Sequence, residues 1–220
     1  MKPKYPLTQP FERLPEELPI YTLENALLPG GELPLALAEP DDLAMFFDAL
    51  RSDQLIGMIQ PIAATSEGDI YTVGCAGRIR QYRERKDGKI NVMITGVCRY
   101  KIAKLLPKKN GFRKVIADWS DFPQDCETED VESGKIDLFK TNLRNYFQRQ
   151  QMQIDWDTLD KLPIEEVVNN LVLVMNFSIS DKQQLLESPT INDRLNLFIH
   201  LLNDKPDPIW TGNYVGESIN

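Results

Sequence analysis

The chain has few of the groups that carry most enzyme chemistry. Its one histidine, His200, lies between Ile199 and Leu201 in an amphipathic run, with no cysteine or serine elbow beside it. A base paired with an activated nucleophile is therefore not written into the sequence. The three cysteines, Cys75, Cys98 and Cys126, are too few and too widely spaced for a disulfide framework or a CxxC zinc site, and they read as reduced, buried thiols. No apolar run approaches the roughly eighteen residues that cross a bilayer, which argues against a membrane-spanning protein. The first residues, "MKPKYPLTQPFERLPEELP", set prolines and charges where a secretory leader needs a continuous apolar stretch, and cytoplasmic residence is expected. The double glycine in "LLPGGELPL" (27–35) lacks the following lysine and Ser or Thr of a phosphate loop, so a nucleotide cradle is excluded there. Asp41 with Asp42 and Glu165 with Glu166 stand at expected helix starts, where negative charge complements the exposed amides. Neither pair has metal-ligand spacing, and no cofactor is implied.

What is present is ordinary in amount and uneven in placement. A hydrophobic fraction of 42% and a charged fraction of 26% suit a soluble globular chain of one large or two small units, with two expected. The net charge of −8 disfavours a general nucleic-acid binder, yet residues 78–114 hold thirteen bases against two acids. That segment is locally +11, and the rest of the chain carries −19.

Strand signals dominate from Leu18 to Trp119. "LPIYTL" (18–23), "LPLAL" (33–37), "LIGMIQPI" (55–62), "IYTVGCAGRIRQY" (70–82), "KINVMITGVCRYKIAKLL" (89–106) and "FRKVIADW" (112–119) are rich in β-branched or aromatic residues and bounded by Gly, Pro or Asp. "RKDGK" (85–89) reads as a hairpin turn with Gly88 at positive φ. Gly74, Gly77 and Gly96 inside the runs suggest bulges or bends in a strongly curved sheet, closed or nearly closed into a barrel. One helix interrupts, because Leu43, Phe46, Phe47 and Leu50 follow the helical period. The acidic "DFPQDCETEDVESG" (121–134) has the composition of a linker.

Helical stripes follow: Ile136, Phe139, Leu143, Tyr146 and Phe147; Val167, Val168, Leu171, Val172 and Met175; Leu195, Phe198, Ile199 and Leu202. Ser180 with Gln183 reads as a capping box, and Ser188–Pro189 as the start of the last helix. The expected organisation is a barrel subdomain over 18–120, a helical bundle over 128–204, and extended tails at 1–17 and 205–220, the second docked through Trp210 or Tyr214.

The ordered series "LPIYTLENALLPGGELPLALAEP", a short helix, "IYTVGCAGRIRQY", "DGKINVMITGVCRYKI" and "KVIADW" resembles the N-terminal domain of the Lon ATP-dependent proteases. The helical half, with "SDKQQLLESPTINDRLNLFIHLL", is similar to the same domain, so the resemblance covers roughly 18–204. It implies an α+β fold: a PUA-like β-barrel or curved mixed sheet with short helices, then an α-helical bundle. In the full-length proteases this region binds substrate proteins and helps assemble the oligomer, while an AAA+ module and a Ser–Lys peptidase domain do the chemistry. Neither of those is expected in this chain. At the start of the first helix, Ala38, Asp41 and Asp42 depart from the apolar, basic and aromatic residues usual in the family.

The leading reading is thus a non-catalytic module that recognises protein or peptide segments. Its implied partners are unfolded or specific protein substrates, a separate protease or chaperone, and weakly a second copy. Candidate contact residues are Leu28, Pro29, Phe46, Phe47, Met93 and Arg99, at the expected junction of barrel and helices. The alternative is RNA or DNA binding by a basic strand face carrying Arg78, Arg80, Arg99 and Lys101, with aromatics interleaved for stacking. A hydrolase has no visible nucleophile or metal cluster to support it.

Overall fold

The computed structural model describes residues 11–62, 69–127 and 130–204. The expectations for Trp210, Tyr214 and most of the tails lie outside the described residues. Six strands and six helices follow in order: β1 (Glu17–Thr22), β2 (Glu32–Leu37), α1 (Pro40–Arg51), β3 (Leu55–Ile59), β4 (Val73–Glu84), β5 (Ile90–Leu105), β6 (Arg113–Asp118), α2 (Ser133–Arg149), α3 (Trp156–Leu159), α4 (Ile164–Val174), α5 (Ile179–Glu187) and α6 (Ile191–Asp204). The fold is α+β, with the sheet first and the helices after it.

The sheet runs β2-β5-β4-β3-β1-β6 and closes because β5 also pairs with β6. Closure depends on the length of β5. One edge of this 16-residue strand takes β2 along Ile90–Thr95 and β6 along Lys101–Leu105, while the other edge carries β4. Only β1 and β3 are parallel, so the sheet is mixed. The β4–β5 hairpin turns at Gly88 with φ 80. The β5–β6 hairpin turns at Asn110 and Gly111, whose φ of 52 and 89 mark the two-residue Asn-Gly reversal that matches strand twist.

"LLPGGELPL" lies where the barrel meets the helices. Gly30 takes φ 76, which lets its N–H reach Gly96 O at 2.9 Å while Gly96 N–H returns to Gly31 O at 2.9 Å. A side chain at Gly96 would overlap the Leu28 carbonyl, so that glycine serves close approach of two backbones. Across the joint, Asn169 Nδ2 of α4 donates to Pro29 O at 2.6 Å, and Arg194 Nη1 of α6 donates to Asn169 Oδ1 at 3.0 Å. Barrel and helices share one continuous apolar core, from Leu18 and Phe46 through Tyr100 to Phe139 and Phe198.

Two helix starts differ from the expected ones. The capping box of α5 is Ser178 with Asp181, two residues before the expected pair, because Asp181 can both receive from the Ser178 N–H and sit at the positive helix end. Thr190, paired reciprocally with Asp193, opens α6, whereas the Ser188 hydroxyl donates back to Gln184 O.

The acidic stretch read as a linker also holds structure. It contains a 3₁₀ turn at Pro123–Cys126 that places Asp125 in the interior.

Candidate functional site

The six residues expected to line a peptide site do not gather on one surface. Leu28 and Pro29 are buried at the joint. Phe46 is buried on α1, and only Phe47, at 45% exposure, opens to solvent. Met93 is half-buried on β5, opposite Pro34 and Gln81 and on the other face of the strand from Val92.

Arg99 was placed in both candidate sets, and the structure puts it in the interior. Its Nε donates to Asp125 Oδ2 at 2.9 Å, its Nη2 to Asp125 Oδ1 at 2.7 Å, and its Nη1 to Leu186 O at 3.0 Å and Ser188 O at 2.6 Å. The Phe122 ring lies 4.7 Å from the guanidinium carbon. Burial pushes the Arg99 pKa down, but the Asp125 carboxylate outweighs it and the net shift is upward. Arg99 therefore ties β5, the 123–126 turn and the α5–α6 connection together, and no phosphate can reach it. Of the other three basic candidates, Lys101 pairs with Asp121 at 3.4 Å, Arg78 is half-buried, and Arg80 is exposed. The four do not form one face.

The accessible chemistry gathers instead beside the C-terminal end of α1. Helical spacing turns Leu43, Phe46 and Leu50 toward the core, and the Phe46 ring meets two aromatic edges. Phe47 lies 5.4 Å from it and Tyr82 of β4 lies 5.3 Å from it, both nearly perpendicular. Tyr82 is 56% exposed, so Phe47 and Tyr82 form an aromatic rim around a buried ring. Next to this rim is a groove of about 520 Å³ lined by Leu50, Gln54, Ile79, Arg80, Gln81 and Tyr82.

Two departures from regular backbone shape that groove. Gln54 takes φ 59, a left-handed conformation uncommon for a residue with a side chain, and is held by Gln54 N–H to Ala49 O and Ile79 N–H to Gln54 O. On β4 the register slips between Ile79 and Gln81, which makes Arg80 the extra residue of a bulge. Gln54 carried no sequence signal, and Tyr82 was visible only as one aromatic among basic strand residues.

A second pair of depressions, of about 490 and 400 Å³, flanks the β5–β6 hairpin around Lys108 and Phe112. Four of their charges are paired within the chain: Lys108 with Asp41 at 3.0 Å and Lys114 with Asp48 at 2.8 Å. Asp42 is held above the usual carboxylate range by burial and by its neighbours Glu39 and Asp41. The acidic residues that depart from the family pattern at the helix start therefore face a basic hairpin of the same molecule. Among the described residues no His, Cys, Asp and Glu cluster could hold a metal ion, and no helix is long and apolar enough to cross a membrane.

Comparison with known proteins agrees with this architecture. Two solved structures share the fold: the Lon N-terminal domain protein from Xanthomonas campestris, with a TM-score of 0.59 at 20% identity, covering 86% of this chain and 99% of that one, and the N-terminal domain of the Mycobacterium avium complex Lon protease, with a TM-score of 0.62 at 17% identity, covering 86% and 100%. Among curated proteins, Lon protease 2 of Myxococcus xanthus is 26% identical over 225 residues, and the Lon protease of Malacoplasma penetrans is 29% identical over 181 residues. These alignments take in 94% and 76% of this chain but only 26% and 22% of the relatives, so the chain spans about a quarter of their length. The family model described as the ATP-dependent protease La (LON) substrate-binding domain matches residues 17–204, and the chain belongs to that family.

Proposed function

We propose that this protein is a non-catalytic recognition module that holds exposed apolar segments of unfolded or specific protein substrates at the α1/β4 rim. A separate protease or chaperone then acts on the captured chain. The observation that carries this reading is the pair Phe47 and Tyr82, two half-exposed aromatics braced by one buried ring beside an open groove. Rigid aromatic edges offer large apolar contact area at low entropic cost, which suits recognition of chains without fixed structure. Membership of a substrate-binding-domain family supports the same reading.

The experiment is binding of a permanently unfolded, reduced and alkylated model protein, followed by fluorescence anisotropy. Wild type is expected to bind, and Phe47→Ala with Tyr82→Ala is expected to weaken binding at least about tenfold while keeping the fold. Equal binding by the double variant overturns the site, and no binding by wild type overturns the function. Nucleic-acid binding is the weaker alternative, since Arg99 is interior and Lys101 is paired, leaving Arg78 and Arg80 of the four residues it needs.

A further inference from the structure

The α1/β4 groove has a charge as well as a shape. Arg80 is exposed on its wall and forms no ion pair with a described residue. Arg83, two places beyond Gln81 on the same strand, is exposed and likewise makes no ion pair among the described residues. The nearest charged groups along β4 are Arg78 on one side and Glu84 on the other, so cations outnumber anions along this strand. Lys101, Lys108, Lys114 and Arg85, by contrast, each have a carboxylate within 4 Å. The cation on this groove wall is thus left available where those four are neutralised.

The bulge gives Arg80 its place. In a regular strand a residue between Ile79 and Gln81 points to the face opposite both, and its position follows the pleat. The extra residue of a bulge is released from the ladder and its side chain is re-aimed. Here that residue is an arginine, and it lines the groove together with Leu50, Ile79 and Tyr82 and with Gln54 and Gln81, whose side chains end in amides. A guanidinium in such a setting offers a planar fork of donors to a carboxylate, while the aromatic rim takes an apolar side chain.

We propose that this groove selects protein segments in which an apolar residue is flanked by an acidic one, with Arg80 determining that preference by pairing with the acidic side chain. The proposal rests on the peptide-binding reading above and adds the charge of the substrate to it. Apolar segments flanked by lysine are disfavoured, because the incoming cation meets Arg80 and Arg83. The preference is electrostatic and partly solvent-exposed, so it shrinks as salt rises.

The test uses the full 220-residue chain and three fluorescent ten-residue peptides with one Phe-Leu core, flanked by Glu, Gln or Lys. At low salt the Glu-flanked peptide is expected to bind about fivefold tighter than the Lys-flanked one, with the Gln-flanked peptide between them. Arg80→Gln is expected to bring the three affinities together, and Arg80→Glu to reverse their order. Both variants change an exposed side chain, and an unchanged thermal melt confirms that they fold. Equal affinity of wild type for all three peptides overturns the proposal while leaving peptide binding standing. Binding of none of the three overturns the peptide-binding reading as well. A single-stranded RNA oligonucleotide that binds in an Arg80-dependent way when no peptide does would assign the groove to nucleic acid and overturn the proposal.

Discussion

Arg99 of β5 and Asp125 of the 123–126 turn form a buried bidentate ion pair, with Nη2 to Oδ1 at 2.7 Å and Nε to Oδ2 at 2.9 Å. Asp125 Oδ2 also accepts from the Arg99 backbone N–H at 2.8 Å, so the carboxylate grips both ends of one residue. The same guanidinium reaches the carbonyls of Leu186 and Ser188, which makes the pair the place where strand, turn and helices are joined.

Removing one partner leaves a buried charge alone. Arg99→Met is expected to lower unfolding free energy by about 3–5 kcal/mol in urea titration. Arg99→Met with Asp125→Leu is expected to regain about half of that loss, because no charge remains buried, while the carbonyls stay without their donor. A single variant as stable as wild type would remove Arg99 from its structural role.

Lys182 of α5 is buried against the other half of the molecule, donating to Asn25 Oδ1 at 2.8 Å and Leu173 O at 3.2 Å. Burial pushes its amine down to about 8. Between pH 8 and about 10.5 the unfolded chain binds a proton at this site that the folded chain does not, so this group makes stability rise with pH in that window. Full titration corresponds to about 3 kcal/mol. The buried Cys75 thiol and Tyr100 phenol act oppositely at alkaline pH, since folding raises their pKa and the unfolded chain releases their protons first. The difference between wild type and Lys182→Met isolates the lysine. That difference should move in favour of wild type from pH 7.5 upward, and a pH-independent difference would contradict it.

Gly96 and Gly88 separate two reasons for glycine. Gly96→Ala forces a side chain into the Leu28 carbonyl and is expected to cost about 2 kcal/mol or more, with the loss centred on the barrel–helix joint. Gly88 has φ 80 but open space around it, so Gly88→Ala is expected to cost only about 1 kcal/mol from backbone strain. Thermal melts of the two variants check the order.

The elements were legible because their signals are local. β-branched runs became β1 to β6 near their expected bounds, and stripes such as Phe139, Leu143 and Tyr146 became the buried faces of helices. Asn110-Gly111 was an equally local hairpin signal that the strand reading passed over. Arg99 does lie at the expected junction of barrel and helices, but its burial was missed because period-two alternation puts it on the same face as Lys101, and alternation does not say how far the helices extend over that face. They cover position 99 and stop before 101, and the partner that explains the burial, Asp125, sat in a stretch whose composition resembles a linker. The groove escaped for a similar reason. A bulge at Arg80 and a left-handed Gln54 are set by pairing between β3, β4 and β5, not by the residues themselves.

The proposed seat of a bound chain is the α1/β4 rim. Backbone amide chemical shifts recorded during addition of the Glu-flanked Phe-Leu peptide test it most directly. Concentration-dependent shifts are expected at Phe47, Leu50, Gln54, Arg80 and Tyr82, with little change at Lys108, Phe112 and Arg113. Shifts confined to the β5–β6 hairpin, or absent at saturating peptide, would contradict it.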